Sequence, residues 1–357
     1  MKRISYENRR VLFTRIRPLL AVATLVFSLF LLACNPADPQ STFDAKGPIA
    51  EIQLGLFWII FWVAVVVFVV VEGALLYTVV KFRSKNRRFL PRQTHGNKSL
   101  EIAWTIAPTI ILVCIAVPTV MALFTSAAPA RVDALNVKVV AHQWWWEFEY
   151  PELGVITANE MHIPVGRDVN VELESADVIH SFWVPKLAGK LDIVPTRTNR
   201  LWFRADEPGN FSGQCAEFCG IAHALMKFRV IADVPEVFDK WVSHQLADAQ
   251  APESDLAKEG SSLFVTKQCI VCHKIAGTVA QGIIGPNLTH VSSRTTIAAG
   301  ILENDKNGVN LSKWLEDPED IKPGNIMSRQ AGVYNDPDLE MTDDDIDALV
   351  TYLLTLE

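Results

Sequence analysis

The chain has 357 residues, room for two or three domains, and half of them are hydrophobic. Its formal charge of −7 excludes a general nucleic-acid binder. The apolar excess is concentrated in the first 125 residues, so the chain does not read as a purely soluble protein.

Residues 1–33 begin with Lys2, Arg3, Arg9, Arg10, Arg15 and Arg17 and continue into an apolar run from Leu19 to Ala33. That run is short for a membrane span and has the form of a secretory signal peptide. Leu31-Leu-Ala-Cys34 resembles a bacterial lipoprotein box, in which Cys34 becomes a lipidated N-terminus. The alternative is an uncleaved first anchor with an incidental cysteine.

Residues 48–128 are predicted to form a transmembrane hairpin, with helices over about 52–80 and 102–124. The loop between them carries Lys81, Arg83, Lys85, Arg87, Arg88, Arg92 and Lys98, which places it in the cytoplasm. Everything after residue 125 then lies outside the cytoplasmic membrane. Glu72 is an ionisable group inside the first span, functional or partnered by default, with packing against another subunit as the plain alternative.

From 131 to 240 the pattern changes to short β-rich runs separated by Pro and Gly: Val137–Val140, Trp144–Tyr150, Val169–Leu173, Leu201–Arg204 and Phe228–Ile231. Such spacing predicts an all-β sandwich or barrel. Its last connection is Cys215-Ala-Glu-Phe-Cys-Gly-Ile-Ala-His223-Ala-Leu-Met226, with His180 upstream. Thiolate, imidazole and thioether are the soft and borderline ligands that copper prefers. Two thiols four residues apart can bridge two coppers in one loop. A disulfide or zinc site is the alternative, but zinc has no use for Met226.

Residues 241–256 read as a linker, and 257–357 as a helical domain. Cys269-Ile-Val-Cys272-His273 is the C-x-x-C-H signature of covalent haem c, with His273 as one axial ligand. Met327, after Ile321-Lys-Pro-Gly-Asn, and Met341 are candidates for the sixth position. His290 is a weaker candidate, and Pro286 is placed to hold the second nitrogen of His273. Thr342 is an N-cap for a last helix from Asp343.

With both motifs, the hairpin and Ala141-His-Gln-Trp-Trp-Trp-Glu-Phe-Glu-Tyr150 in view, the chain resembles subunit II of bacterial haem-copper cytochrome c oxidases. It is similar in particular to the form with a fused C-terminal cytochrome c domain. The resemblance implies a two-helix hairpin, a cupredoxin-like sandwich holding the dinuclear copper centre CuA, and an all-α class I cytochrome c domain. It makes Cys215 and Cys219 bridging thiolates, His180 and His223 one ligand to each copper, and Met226 and the Glu217 carbonyl weak ligands. The Glu217 side chain is implied to face a magnesium ion shared with subunit I. Trp144 is implied to receive electrons, although Trp145 stands where the family has Tyr. Glu101, in the Glu-x-x-Trp-Thr context, is implied by the resemblance to mark the cytoplasmic mouth of a proton path. Partners are then subunit I, subunit III, a cytochrome c donor and the bacterial cell membrane, with activity only within the complex. The competing readings are a membrane-tethered electron shuttle and a CuA-bearing subunit of a nitric oxide or nitrous oxide reductase. The hairpin favours the oxidase, because a shuttle needs a single anchor. A quinol oxidase subunit II lacks the copper ligands that stand here.

Overall fold

The computed structural model describes residues 21–22, 25, 28, 38–83 and 95–357. Cys34, most of the signal segment and most of the basic loop lie outside the described residues.

Two long helices open the structure, α1 (Pro48–Lys81) and α2 (Lys98–Ala127). Pro48 starts α1, where its missing N–H costs nothing. Asn97 caps α2, its side chain accepting from the amides of Ser99 and Leu100. Both are long and apolar enough to cross a membrane. Their side chains, such as Val66 to Val71 and Leu112 to Val113, stand largely exposed, as lipid-facing surface must. The segment before α1 is tied to the β domain: Lys186 Nζ reaches Asp44 at 2.7 Å, and Lys46 N donates to Lys186 O at 2.8 Å.

The β domain is a sandwich of two five-stranded sheets. Its strands are β1 (Leu135–His142), β2 (Trp145–Tyr150), β3 (Val155–Ala158), β4 (Glu160–Pro164), β5 (Val169–Ser175), β6 (His180–Trp183), β7 (Leu191–Ile193), β8 (Asn199–Phe203), β9 (Gly209–Cys215) and β10 (Lys227–Asp233). One sheet has the order β3-β2-β1-β5-β8 and the other β4-β10-β9-β6-β7. Alternate residues of β1, β2, β5 and β10 point inward, the period that a half-buried strand imposes. Their inner faces meet in an aromatic core in which Phe228 packs against Trp146, Phe148 and Phe182.

Trp144, expected at the start of a strand, lies instead in the turn joining β1 to β2. β3, β4, β6, β7 and β9 are not among the runs singled out in the sequence; β9 reads Gly-Asn-Phe-Ser-Gly-Gln-Cys and is extended because it pairs with β10 and β6.

Helix α3 (Pro235–Gln245) leads through a short connection to the helical domain. There α4 (Asp255–Thr266) and α8 (Asp343–Leu354) pack together, with Phe264 edge-on to Tyr352 at 6.0 Å. Between them come α5 (Val309–Glu316), α6 (Pro318–Ile321) and α7 (Ile326–Gln330). Thr342 caps α8 in a reciprocal capping box with Asp345.

Candidate metal centre and haem pocket

Cys215 is the last residue of β9, and the loop to β10 folds back over it. Backbone pairing closes this loop, since Cys215 N donates to Met226 O at 2.9 Å and Ala216 N to Ser181 O at 3.0 Å. Cys215 Sγ lies 3.7 Å from Cys219 Sγ. His180 Nδ1 approaches Cys215 Sγ at 3.9 Å, and His223 Nδ1 approaches Cys219 Sγ at 3.5 Å. Met226 Sδ is 3.8 Å from Cys219 Sγ, and the Glu217 carbonyl is 3.2 Å from Cys215 Sγ. The donor atoms of His180, Cys215 and Cys219 lie within 4.8 Å of one another, and His223, Met226 and the Glu217 carbonyl each adjoin one of the two sulfurs. His180 and Met226 are fully buried, and the two cysteines nearly so.

The protonation of the cluster suits a metal. The hydrogen bond with Cys219 pulls the Cys215 thiol down to about 3, against the opposing effect of burial. The same contact, with burial, drives Cys219 upward, so the pair shares a single proton that a metal would displace. The free nitrogen of His180, Nε2, is held by Asp177 Oδ1 at 2.7 Å, which turns Nδ1 toward the sulfurs. Burial disfavours the charged His180 ring, but the bonds to Asp177 and Cys215 outweigh it and raise its pKa. Burial also opposes ionisation of Asp177, yet its bonds to His180 and to the amides of Val178 and Gln143 hold its carboxyl below the ordinary value. A soft donor set with two adjacent sulfurs and oriented imidazoles fits a pair of coppers.

In the helical domain a cavity of about 270 Å³ is lined by Cys269, Cys272, His273, Met327, Met341 and Leu349. Pro286 O accepts a hydrogen bond from His273 Nδ1 at 2.9 Å, leaving Nε2 for a metal in the cavity. Burial lowers the pKa of His273, which keeps the ring neutral. Gly285 stands flush against this ring: a Cβ there would come within 2.7 Å of His273 Cε1. The apolar lining, the two thiols and the oriented imidazole fit a covalently bound haem. His290 does not line the cavity; its ring nitrogens lie 2.5 Å from Glu357 O and 3.1 Å from Ala247 O.

Comparison with known proteins accounts for the same three units. Residues 39–121 match the family model described as the transmembrane domain of cytochrome c oxidase subunit II, 155–234 its periplasmic domain, and 257–357 cytochrome c. Cytochrome c oxidase subunit 2 of Alkalihalophilus pseudofirmus is 39% identical over 336 residues, covering 92% of this chain and 94% of the relative. The chain belongs to the cytochrome c oxidase subunit 2 family. The Bacillus subtilis member is 36% identical over 336 residues, covering 89% of this chain and 92% of its own length. The periplasmic domain of subunit II from Bradyrhizobium japonicum, a solved structure, is 32% identical and covers 33% of this chain and 96% of that domain, at a TM-score of 0.32. Membership makes this a membrane protein whose β domain lies on the periplasmic side. It also implies CuA copper for the sandwich and haem c for the helical domain.

In this subunit 2 chain the remaining expected residues are widely spread. Trp146 is core, and Trp145 is half-buried, stacked on His142 with centroids 4.2 Å apart. Trp144 is buried, and its indole N–H donates to Cys219 O at 3.0 Å. Gly220, at φ 120°, makes room for it, since a Cβ there would meet the indole at 2.9 Å. Glu101 sits in the first turn of α2 and accepts from Asn97 N at 3.2 Å, completing the helix cap. Glu72 lines a groove between the two membrane helices opposite Ile111 and Ile115. Three residues went unnoticed in the sequence: Asp177, Glu160 and Lys322. Asp177 had a local signal, three residues before a candidate ligand; the other two act across domains and had none.

Proposed function

We propose that this chain takes electrons from a cytochrome c donor and delivers them to the haem-copper subunit I of a respiratory oxidase, which reduces oxygen to water and pumps protons. It acts only inside that complex, alongside subunit I and subunit III. The observation that carries the reading is the pair of sulfurs 3.7 Å apart with one imidazole facing each. A shared pair of thiolates suits a dinuclear centre far better than a single ion.

In this reading Cys215, Cys219, His180, His223, Met226 and the Glu217 carbonyl would hold the coppers, with the Nδ1 atoms of both imidazoles facing the sulfurs. When bound, the copper pair and the haem each take up and release one electron. The protein's part is to hold its ligands still. Asp177 fixes the His180 ring, the β9–β10 loop is closed by backbone pairing, and the aromatic core behind it excludes water. Rigid ligands change little between oxidation states, which keeps the reorganisation cost low. Cys269, Cys272, His273 and Met327, which line the cavity, would hold the haem, and Pro286 orients the His273 ring.

Trp144 links the two centres. Glu217 is exposed beside exposed Phe218 at the tip of the copper loop, a surface suited to subunit I and to a shared magnesium. Glu101 is assigned to the mouth of a proton path at the start of α2. The working units are the hairpin 48–128, the sandwich 131–240, the linker 241–256 and the cytochrome 257–357. The test is to purify the membrane complex and follow oxygen uptake with reduced cytochrome c as donor. Uptake that disappears in Cys219→Ser, with the complex still assembled, supports the reading; unchanged uptake contradicts it.

A further inference from the structure

The face of the sandwich that carries Trp144 is covered by the cytochrome domain, and two buried charged residues sit in the seam. Glu160, on β4, is 2% exposed. Its carboxylate accepts from the amides of Thr295 (2.9 and 3.1 Å) and Thr296 (2.8 Å) and from their hydroxyls (2.6 and 2.9 Å). All of these donors belong to the cytochrome domain, 135 or 136 residues away. A carboxylate taken this far out of water costs several kcal/mol unless it is hydrogen-bonded; here Oε1 takes both amides and both hydroxyls, and Oε2 shares the Thr295 amide.

From the other side, Lys322 is 3% exposed and reaches across the seam. Its Nζ donates to Trp144 O at 2.5 Å and to Ala298 O at 3.4 Å. Burial lowers its pKa to about 7, and both protonation states keep N–H donors for these carbonyls. The same Trp144 donates its indole N–H to Cys219 O, and Gln143 Nε2 reaches that oxygen at 2.7 Å. Gln143, Trp144 and Trp145 also form one wall of the haem cavity. Backbone contacts extend the seam: Lys227 N to Ala299 O at 3.1 Å, and, in the connecting segment, Ala249 N to Ala276 O at 3.1 Å.

Buried charges at an interface fix its register more than they add affinity. We propose that Glu160 and Lys322 are positioning residues that lock the cytochrome domain in one register on the sandwich, with its haem cavity closed on Trp144. Resting on the oxidase reading above, the lock has two consequences. Electron transfer between the domains needs no docking step, and soluble donors are shut out from Trp144. In that transfer one electron crosses from the cytochrome side to the copper loop, the former oxidised and the latter reduced, and no bond or proton moves. A donor then meets the cavity where its lining is exposed, at Val271 and Ile284.

The test uses the intact oxidase and the full chain. After photoreduction of the cytochrome, the inter-domain rate in the unmodified enzyme is expected to be independent of glycerol viscosity and of salt. A rate that falls in proportion to viscosity overturns the lock and needs no variant. In hydrogen exchange the Thr295 and Thr296 amides are expected to be protected, and Glu160→Ala to speed their exchange by about tenfold or more. Equal protection in the variant removes Glu160 from the lock. Lys322→Met is expected to slow the inter-domain rate by about tenfold, with haem and copper spectra unchanged. An unchanged rate removes Lys322. Absence of both spectra would defeat the oxidase reading instead, while the exchange readout still judges the lock.

Discussion

Asp177 is where a single substitution separates metal support from folding. Its carboxylate accepts from His180 Nε2 at 2.7 Å and from the amides of Val178 and Gln143, each at 2.6 Å. Asp177→Ala frees the His180 ring to turn Nδ1 away from Cys215. Removing the partner that orients a metal-bound histidine costs about 10–100-fold in metal affinity, or about 1.4–2.7 kcal/mol. The side chain keeps about 27% of its surface in water, so the two orphaned amides can be partly rehydrated and the penalty to the metal-free fold is the smaller. The sign of the pH dependence follows from the depressed carboxyl. Its contribution is fully present above the unfolded value near 3.9 and is lost only as pH falls through the lower folded value. His180, whose pKa the same bond raises above 6.5, adds a second part to the metal-free difference, fully present below the unfolded value and lost as pH rises through the folded one. The assay is copper retention by the full chain against a graded chelator, with thermal unfolding of the metal-free protein alongside. Equal copper affinity in the two proteins would refute the reasoning, as would a loss of affinity matched by an equal loss of metal-free stability.

Cys215→Ser is expected to abolish copper binding, whereas Met226→Leu keeps two coppers per chain and shifts only the potential, measured by metal analysis and redox titration. Met327→Ala is expected to remove the sixth haem ligand and lower the haem potential, while Met341→Ala leaves the optical spectrum unchanged; the reverse result reassigns the ligand. Residues 255–357 carry 16 Asp or Glu against 8 Lys or Arg, so reduction by a basic donor should slow steeply as salt shrinks the Debye length from about 30 Å at 0.01 M to about 10 Å at 0.1 M. Glu101→Gln is expected to slow oxygen reduction with both spectra intact, while costing the α2 terminus only about 0.3–1 kcal/mol; unchanged turnover returns Glu101 to a helix cap.

What was legible in the sequence is what is encoded over short distances. The copper donors from Cys215 to Met226 and the haem attachment from Cys269 to His273 each fall within one loop, so ligand chemistry reveals them without a fold. The membrane helices are legible from apolar length alone, and their true starts, at Pro48 and Lys98, follow from a proline at the first position and an Asn cap. The rest depends on tertiary contact. Glu160 reads as an ordinary polar residue until Thr295 and Thr296 arrive from the cytochrome domain. Lys322 reads as a surface lysine before a Pro-Gly turn, although its partner is a carbonyl 178 residues earlier. The family resemblance implies that Trp144 receives electrons, yet its burial beneath a second domain has no trace in its neighbours.

The most direct measurement of the central claim is EPR of the oxidised, copper-loaded full chain, with copper and iron counted in the same sample. Two coppers and one iron per chain, with one unpaired electron shared by two copper nuclei, is the result this account predicts. The hyperfine pattern of a single copper nucleus, or one copper per chain at saturation, would contradict it.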